Sequence, residues 1–568
     1  MTLSLAAGLA IADQVIVATY LGIILISGIW LARREPAGAE EYFLGGRRMP
    51  VWAVAISVVA SSLSVATFMG VPQQAYAGNL TYLSTNIGGL LAVLVVAYFF
   101  IPAFYKHSCT SIYELLEHRF GPGAKQASSL AFMVGRLLAS GVRIYIAAIP
   151  LAMVLFGVEQ SQRAEFIVGA ILILSAVAVG YTLIGGIASV IWTDVIQTVV
   201  LVIAVLAAVW VLLARIDAPA ADIVQALQSN TPAAGATNAA GTAAQGSKLL
   251  IFDFSLDVTK SFTVLAAIVG WSLLNMASYG TDHDMVQRCL TCKSAIKGSR
   301  SVIIAIFTGI PVVTLFMLIG LLLWIFYQRP DLTGGAPVTY DIAMTDRVFT
   351  TFILNELPAG LRGLMVAGIF AVALGSLNSA ITAMAATSVK DFYAHAVPGK
   401  SDRHYMIAGR WATVGWGAAL AGFACLCIVW QKYENRTLID FALGVMTYAY
   451  SGLLAVFLSA LFTKRGTTAS VIAALVTGFL VVLFFNPSLW LGISKIIPSI
   501  VESTVSAAQA KSPGKPVVID AELVKDALPF LKLASPYHML IATVAAFTVC
   551  QSVKGKGGRS VQTLPANR

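Results

Sequence analysis

The chain has 568 residues, 58% of them hydrophobic and only 11% charged, with a formal net charge of +10. A mean hydropathy of +0.82 excludes a soluble enzyme or a water-facing binding module. No stripe of interleaved basic and aromatic residues accompanies the positive charge, so no nucleic-acid partner is expected.

About thirteen apolar runs follow one another, each long enough to cross ~30 Å of hydrocarbon. Their centres are Leu21, Ala66, Leu94, Tyr145, Leu174, Ile203, Ile268, Leu315, Ala373, Ala418, Ala449, Ala474 and Ala542. The chain is therefore read as an all-α polytopic membrane protein. The first run lacks a basic leader, carries Asp13 near its start and is followed by Arg33-Arg34, so it reads as a retained helix rather than a signal peptide.

Lys and Arg in the short loops set the orientation. Arg47 and Arg48 join Arg33 and Arg34 after the first run. Lys106, Arg119 and Lys125 follow the third, and Arg288, Lys293, Lys297 and Arg300 the seventh. Lys390, Lys400 and Arg403 follow the ninth, Lys464 and Arg465 the eleventh, and Lys554, Lys556 and Arg559 close the chain. All fall on one side of the thread. That side is taken as cytoplasmic in a cell (inner) membrane, with the N-terminus outside and the C-terminus inside.

Residues 217–260 form an outer loop rich in Ala, Gly, Thr, Ser and Gln, much of it expected to be flexible. Residues 487–535 form a second outer stretch with pieces suited to short surface helices. None of the six Cys falls in an outer loop, so no disulfide is expected. Cys289 and Cys292 make a lone CxxC without a second pair at zinc spacing, which reads as two small residues near the cytoplasmic face.

Residues 51–214 and 262–461 each hold about five spans. An odd number forces the second block to enter from the opposite side, the pattern of an inverted repeat with its site near the midplane. Residues 1–50 add one helix and a cytoplasmic linker. Residues 215–261 connect the two blocks, and residues 462–568 add two helices, the outer insert and a short tail. Breaks are expected from Ser64 to Pro72 in core helix 1 and from Asn275 to Gly280 in core helix 6.

Two segments carry hydroxyls where a lipid-facing helix would carry Leu and Ile. One contains Ala60-Ser61-Ser62-Leu63-Ser64, Thr67 and Gly70-Val71-Pro72. The other contains Gly375-Ser376-Leu377-Asn378-Ser379, Thr382, Thr387 and Ser388. Polar side chains and broken turns at membrane depth are tolerated where they line a cavity or coordinate something. Hard oxygens suit a small alkali cation, which points to an ion-coupled transporter. No His-Glu-x-x-His, no nucleophile elbow and no pair of catalytic carboxylates argues for an enzyme.

Four stretches, in order, match a known family. They are Thr110 to Gly121 (TSIYELLEHRFG), Gly185 to Gln197 (GGIASVIWTDVIQ), Gly280 to Arg288 (GTDHDMVQR), and Ser376 to Ser379 leading to Asp391-Phe392-Tyr393. With them the chain resembles the sodium:solute symporters, closer to the anion, carboxylate and sialic acid branch than to the glucose branch. The resemblance implies a LeuT-type core of ten helices, with one added before and two after. It also implies secondary active transport driven by sodium, with no cofactor beyond that coupling ion.

The resemblance places the shared sodium site on the carbonyls of Ala60, Leu63 and Val372 and on positions 375 and 376. Ser376 keeps its hydroxyl, whereas the first hydroxyl position is Gly375. Water, Asn378 or a freed carbonyl is the expected substitute. Asp194 and Ser379, with Asn378 beside them, match a second sodium site of some members. A carboxylate in a membrane segment is a functional candidate; the rival reading makes Asp194 an interfacial residue. For Ser376 and Ser379 the rival is a hydroxyl bonded to the carbonyl one turn back.

Ser62, Ser64 and Thr67 at the first break, Asn86 on core helix 2 and Asn275 on core helix 6 are the candidate solute contacts. Arg136 and Arg143 are seven apart on core helix 3 and share a face. Buried cations need anions, so Arg143 is taken as the cation for a solute carboxylate, while Arg136 could instead snorkel to the interface. Leu443 and Met446 stand where sugar transporters of the family carry polar groups. The expected function is sodium-coupled uptake of a small organic solute, a carboxylate or sugar acid, by a monomer in the lipid bilayer. A neutral sugar or polyol symporter, or a membrane-embedded sensor, is the alternative.

Overall fold

The structure, a computed structural model, describes residues 9–32, 44–109, 111–157, 160–183, 187–232, 246–333, 347–434, 438–511 and 521–553. Arg33, Arg34, Thr110, Gly185, Gly186, Lys554, Lys556 and Arg559 lie outside the described residues, as do positions 233–245 of the first outer loop and 512–520 of the second.

Every regular element among the described residues is helical. In order, the main ones are α1 (Ile11–Ala32), α2 (Val51–Ser62), α3 (Val65–Ala77), α4 (Leu80–Lys106), α5 (Pro122–Phe156) and α6 (Ala164–Thr182). They continue with α7 (Ile187–Arg215), α8 (Val264–Gly280), α9 (His283–Leu290), α10 (Ala295–Gln328) and α11 (Leu361–Thr387). The last are α12 (Asp402–Glu434), α13 (Leu438–Phe462), α14 (Thr468–Phe484) and α15 (Ser535–Gln551). A helix covers each of the thirteen predicted centres, from Leu21 in α1 to Ala542 in α15. Among the described residues seven helices are long and apolar enough to span a bilayer alone, or up to ten if each of three bent pairs is one span. Ile11–Ile24 and Ala164–Gly180 are shorter apolar helices.

The breaks arise from local hydrogen bonding. Between α2 and α3 the axis turns by 64°. Leu63 and Ser64 are extended, and Ser64 caps α3. The Ser64 N–H donates to Thr67 Oγ1 at 3.4 Å, and the Thr67 N–H donates to the Ser64 carbonyl at 2.9 Å. In an unbroken helix these two N–H groups would serve the carbonyls of Ala60 and Leu63. The break is narrower than the sequence suggested, because Gly70, Val71 and Pro72 remain helical inside α3.

The second break also departs from expectation. Asn275 to Gly280 are helical, and the 57° bend falls after them, at Thr281 and Asp282. Asn275 cannot disrupt its helix because its Nδ2 donates back to the Trp271 carbonyl at 2.8 Å. Asp282 starts α9 instead, accepting from the Asp284 N–H at 3.0 Å. A π turn at Ala267–Trp271 lies further up the helix. It leaves Trp271 Nε1 donating to the Ser261 carbonyl at 2.7 Å.

The broken pair α2 and α3 lies at the centre, packed by α7, α10 and α11, with α5 and α13 against α3 and α9 against α2. α4 sits on α8 where Gly88 lets the backbones meet: a Cβ there would be 2.5 Å from the Ala267 carbonyl oxygen. α1 packs along α11. Its buried Asp13 accepts from the N–H groups of Gly360 and Gly363 at 2.7 and 2.8 Å and pairs with Arg362 Nε at 2.9 Å. That carboxylate caps the start of α11, the helix that carries the expected ion ligands.

The described parts of the 217–260 loop are more ordered than its composition implied. Ala220–Ser229 is helical. Val258 and Asp253 offer carbonyls to the N–H groups of Ala534 and Val264, both at 2.9 Å. Lys248, only 2% exposed, donates to the carbonyls of Tyr76 and Gly78, both at 2.9 Å. It also stands 5.0 Å over the Trp324 ring. This ties the loop to the last turn of α3. In the second outer stretch, Leu491, Val501, Val524 and Leu531 close a small apolar cluster among short helices. The six Cys are free; the carbonyls of Cys289 and Cys292 accept from the Tyr105 hydroxyl at 3.1 and 2.7 Å.

Burial pulls the Lys248 ammonium down to about 8, whereas an unfolded lysine titrates near ~10.4. Between those values the folded protein binds fewer protons, so this residue's contribution to stability rises with pH. The melting temperature of wild type relative to Lys248→Met should therefore increase from pH 7 to pH 9.5. An unchanged difference would contradict the burial of this charge.

Candidate functional site

A cavity of about 160 Å³ opens beside the break between α2 and α3. All six candidate solute contacts line it: Ser62, Ser64, Thr67, Asn86, Arg143 and Asn275. They come from five helices, α2, α3, α4, α5 and α8, spread over more than two hundred positions of sequence. Asn86 Nδ2 donates to the Leu83 carbonyl at 3.0 Å, which leaves its oxygen for a ligand. Ser62 donates to the Val59 carbonyl at 2.8 Å. The opposite wall is apolar, with Ile439, Ala442, Leu443 and Met446 from α13 and Val313 from α10.

Arg143 is the charged group of this cavity. Its Nη1 is buried and has no hydrogen-bond partner among the described residues. Its Nη2 has Met446 Sδ at 4.0 Å, a soft and weak acceptor. A guanidinium in that setting is poised for an anion.

Arg136, one face-repeat away on α5, is different. It is 1% exposed and does not snorkel to the interface. Its Nη1 pairs with Asp282 Oδ2 at 2.8 Å, and its Nη2 pairs with Asp284. The Tyr450 hydroxyl donates to the same Asp282 oxygen. Arg136 is thus neutralised by the protein, at the bend between α8 and α9.

The expected ion ligands lie on packed neighbours, α2, α7 and α11. The Ala60 and Leu63 carbonyls have lost their helical donors, as described. Ser376 donates to the carbonyls of Val372 and Ala373 at 3.1 and 3.3 Å. Ser379 donates to the Gly375 carbonyl at 2.9 Å. The bond one turn back is therefore present in both serines, and each oxygen keeps lone pairs for another partner.

Asp194 is 1% exposed. Ser57 donates to its Oδ2 at 2.5 Å. Arg288 Nη2 stands 3.4 Å from that oxygen and donates to Ser379 Oγ at 2.5 Å. Arg288 Nε donates to Ser57 at 2.9 Å, and Nη1 donates to the Asp284 carbonyl at 2.8 Å and to its carboxylate. The guanidinium of Arg288 thus bridges the two residues expected to share a second sodium. Asn378 turns away, its Oδ1 accepting from Thr182 on α6 at 3.2 Å.

The sequence reading did not single out Arg288 as a member of the site. It also missed Tyr82, Trp271, Ser278 and Tyr279 on the cavity wall. A signal existed for three of them. Tyr82 is four residues before Asn86, and Trp271 and Tyr279 flank Asn275 by four on either side, so each shares a face with a residue already chosen.

Removing Arg288 leaves the buried Asp194 without a cation and Asp284 with Arg136 alone. Arg288→Met should cost roughly 3–5 kcal/mol, seen as a large fall in melting temperature. Adding Asp194→Asn should recover part of it. A melting temperature for Arg288→Met equal to wild type would contradict the bridge.

The sodium:solute symporter family profile matches residues 42–478. A sodium/sialic acid symporter of Aliivibrio fischeri is 28% identical over 467 residues, covering 82% of this chain and 86% of that protein. The human sodium/iodide cotransporter is 29% identical, covering 79% of this chain and 66% of its own. A solved structure of a Na+-coupled sialic acid symporter, substrate-bound and outward-open, superposes with a TM-score of 0.71 at 23% identity. It covers 95% of this chain and 97% of that one, which establishes the shared fold. With helical architecture and profile in agreement, this chain belongs to the sodium:solute symporter family.

Proposed function

We propose that the protein carries a small carboxylate into the cell together with one sodium ion. The unpaired Arg143 guanidinium in an otherwise uncharged cavity is the observation that carries this reading. Three relatives support it by their names, which specify sialic acid, iodide and monocarboxylates, all anions. The cavity volume, about 160 Å³, is close to that of an engineered cavity (~150 Å³) that holds benzene. A solute of a few carbons with an apolar end would place its carboxylate on Arg143, Ser64 and Thr67. Its tail would meet Leu443 and Met446. The hydroxyls and amides near Asn86 and Asn275 favour a hydroxylated acid, such as a sugar acid, as the second choice.

Sodium would be held by the carbonyls of Ala60, Leu63 and Val372 and by Ser376 Oγ, joining the broken helix α2 to α11. The ion is cargo, and it stabilises the state in which those two helices are joined. The solute then completes the cavity, the outer side closes, and both leave inward. Coupling is a difference in affinity between states. The reading includes the thirteen-span layout with inverted units at 51–214 and 262–461. It also includes a monomer in the cell membrane, with its N-terminus outside and C-terminus inside.

Charge decides the stoichiometry. Arg288 already occupies the gap between Asp194 and Ser379, so we assign one sodium rather than two. One sodium with one monocarboxylate moves no net charge. A second sodium would let a 100 mV potential add ~2.3 kcal/mol, or about fiftyfold accumulation.

Proteoliposome uptake of a panel of carboxylates, sugars and amino acids, with and without a sodium gradient, tests the reading. Carboxylate uptake should require sodium. Arg143→Ala should lower it roughly ten- to a hundredfold, the worth of a charge-assisted hydrogen bond. Clamping the membrane potential should not change the plateau. Sodium-driven uptake of a neutral sugar with Arg143→Ala unaffected would overturn the solute class, and a sensor would show no uptake.

A further inference from the structure

Four positive side chains from two distant segments meet in one cleft where α2 and α10 begin. Arg47, Arg48, Lys293 and Lys297 line a cavity of about 510 Å³, and no carboxylate stands on its wall. The Met49 N–H joins the two segments, donating to the Thr291 carbonyl at 3.2 Å. Gly45, Gly46 and Arg47 take positive φ values of 56°, 61° and 54°. That tight turn delivers two consecutive Arg to the cleft. The Arg47 guanidinium lies 5.3 Å over the Tyr105 ring.

Other basic groups of the short loops are neutralised by the protein. Lys125 pairs with Glu117 at 3.0 Å, and Lys390 with Glu114 at 2.9 Å. Arg48, Lys293 and Lys297 are exposed and make no ion pair among the described residues. A charge bias that served orientation alone would not need these groups to converge. Converging like charges repel one another unless an anion joins them.

The surroundings identify the anion as part of a lipid. Trp52, the second residue of α2, is 51% exposed and meets Trp192 edge-on at 5.6 Å. Such rings mark the headgroup level of a bilayer. Ile296, between the two lysines, is 67% exposed. From Lys293 the same face of α10 runs through Ile296, Lys297 and Arg300 to Ile304 and Phe307, both exposed. The stripe changes from basic to apolar in the order of a phospholipid, headgroup first and acyl chain after.

We propose that this cleft binds the phosphate of an anionic membrane phospholipid. Arg47 and Arg48 present paired N–H groups to the phosphate oxygens, and Lys293 and Lys297 act as point charges. Basic pockets between membrane helices hold anionic headgroups in this way. The acyl chain lies along Ile304 and Phe307. The headgroup joins the start of the broken helix α2 to the start of α10. This site depends on neither the identity of the solute nor the number of ions carried with it.

The test is a titration of detergent-purified protein with short-chain phosphatidylglycerol, read by thermal shift and by native mass spectrometry. Phosphatidylglycerol should raise the melting temperature and stay bound, and phosphatidylcholine should do neither. Equal effects of the two lipids would overturn the proposal. Arg47→Gln, Arg48→Gln, Lys293→Gln and Lys297→Gln together should weaken phosphatidylglycerol binding by about tenfold or more. Removing four charges elsewhere, with Lys400→Gln, Arg403→Gln, Lys464→Gln and Arg465→Gln, should change it less than about threefold. Equal losses in the two variants would reduce the effect to overall charge and overturn the site. If the first variant fails to fold, Arg48→Gln with Lys297→Gln carries the test: a loss of about threefold or more supports the cleft, and a smaller one refutes it. Glycerol 3-phosphate that stabilises as well as phosphatidylglycerol would make this a site for soluble phosphates and overturn the lipid assignment.

Discussion

Inside a bilayer, backbone groups that lose their helical partners must find others. That constraint organises this protein. At Ser64 the chain redirects two N–H groups to Thr67 Oγ1 and to the Ser64 carbonyl. The carbonyls of Ala60 and Leu63 are left over in the middle of the molecule. Buried carbonyls in that position need another partner, a water or a cation. The surrounding helices α7, α10 and α11 hold the break in place, and Asp13 fastens the start of α11. The cavity lies on the other side of the same break. On the proposed function, ion and solute share one local irregularity of the backbone.

The charges beside it form a closed set. Arg136, Arg143 and Arg288 carry three positive charges, and Asp194, Asp282 and Asp284 carry three negative ones. The empty site is neutral. On the proposed function, sodium alone would make it positive and a carboxylate alone would make it negative. Only the two together restore neutrality. In a low-dielectric interior that is a strong reason for each to favour the other. The coupling does not require contact between ion and solute, because both act on the same buried balance.

Much of this was legible in the sequence. Hydroxyls in an apolar run marked the break, and the six chosen solute contacts came together in one cavity. The polar residues had no other economical place in a membrane protein. What was not legible was pairing across the chain. Arg288 meets Asp194 across 94 positions and Arg136 meets Asp282 across 146, and neither spacing has a periodicity to detect. The second break was misplaced because Asn275 looks like a helix breaker in sequence, while in the fold its side chain satisfies a carbonyl one turn back. The outer loop looked flexible by composition, yet one buried lysine anchors it.

The most direct test is the affinity of the purified protein for its carboxylate in sodium and in choline, measured by titration calorimetry. The account predicts at least tenfold tighter solute binding with sodium present, and an equal tightening of sodium when solute is present. Solute binding of the same strength in choline would contradict it.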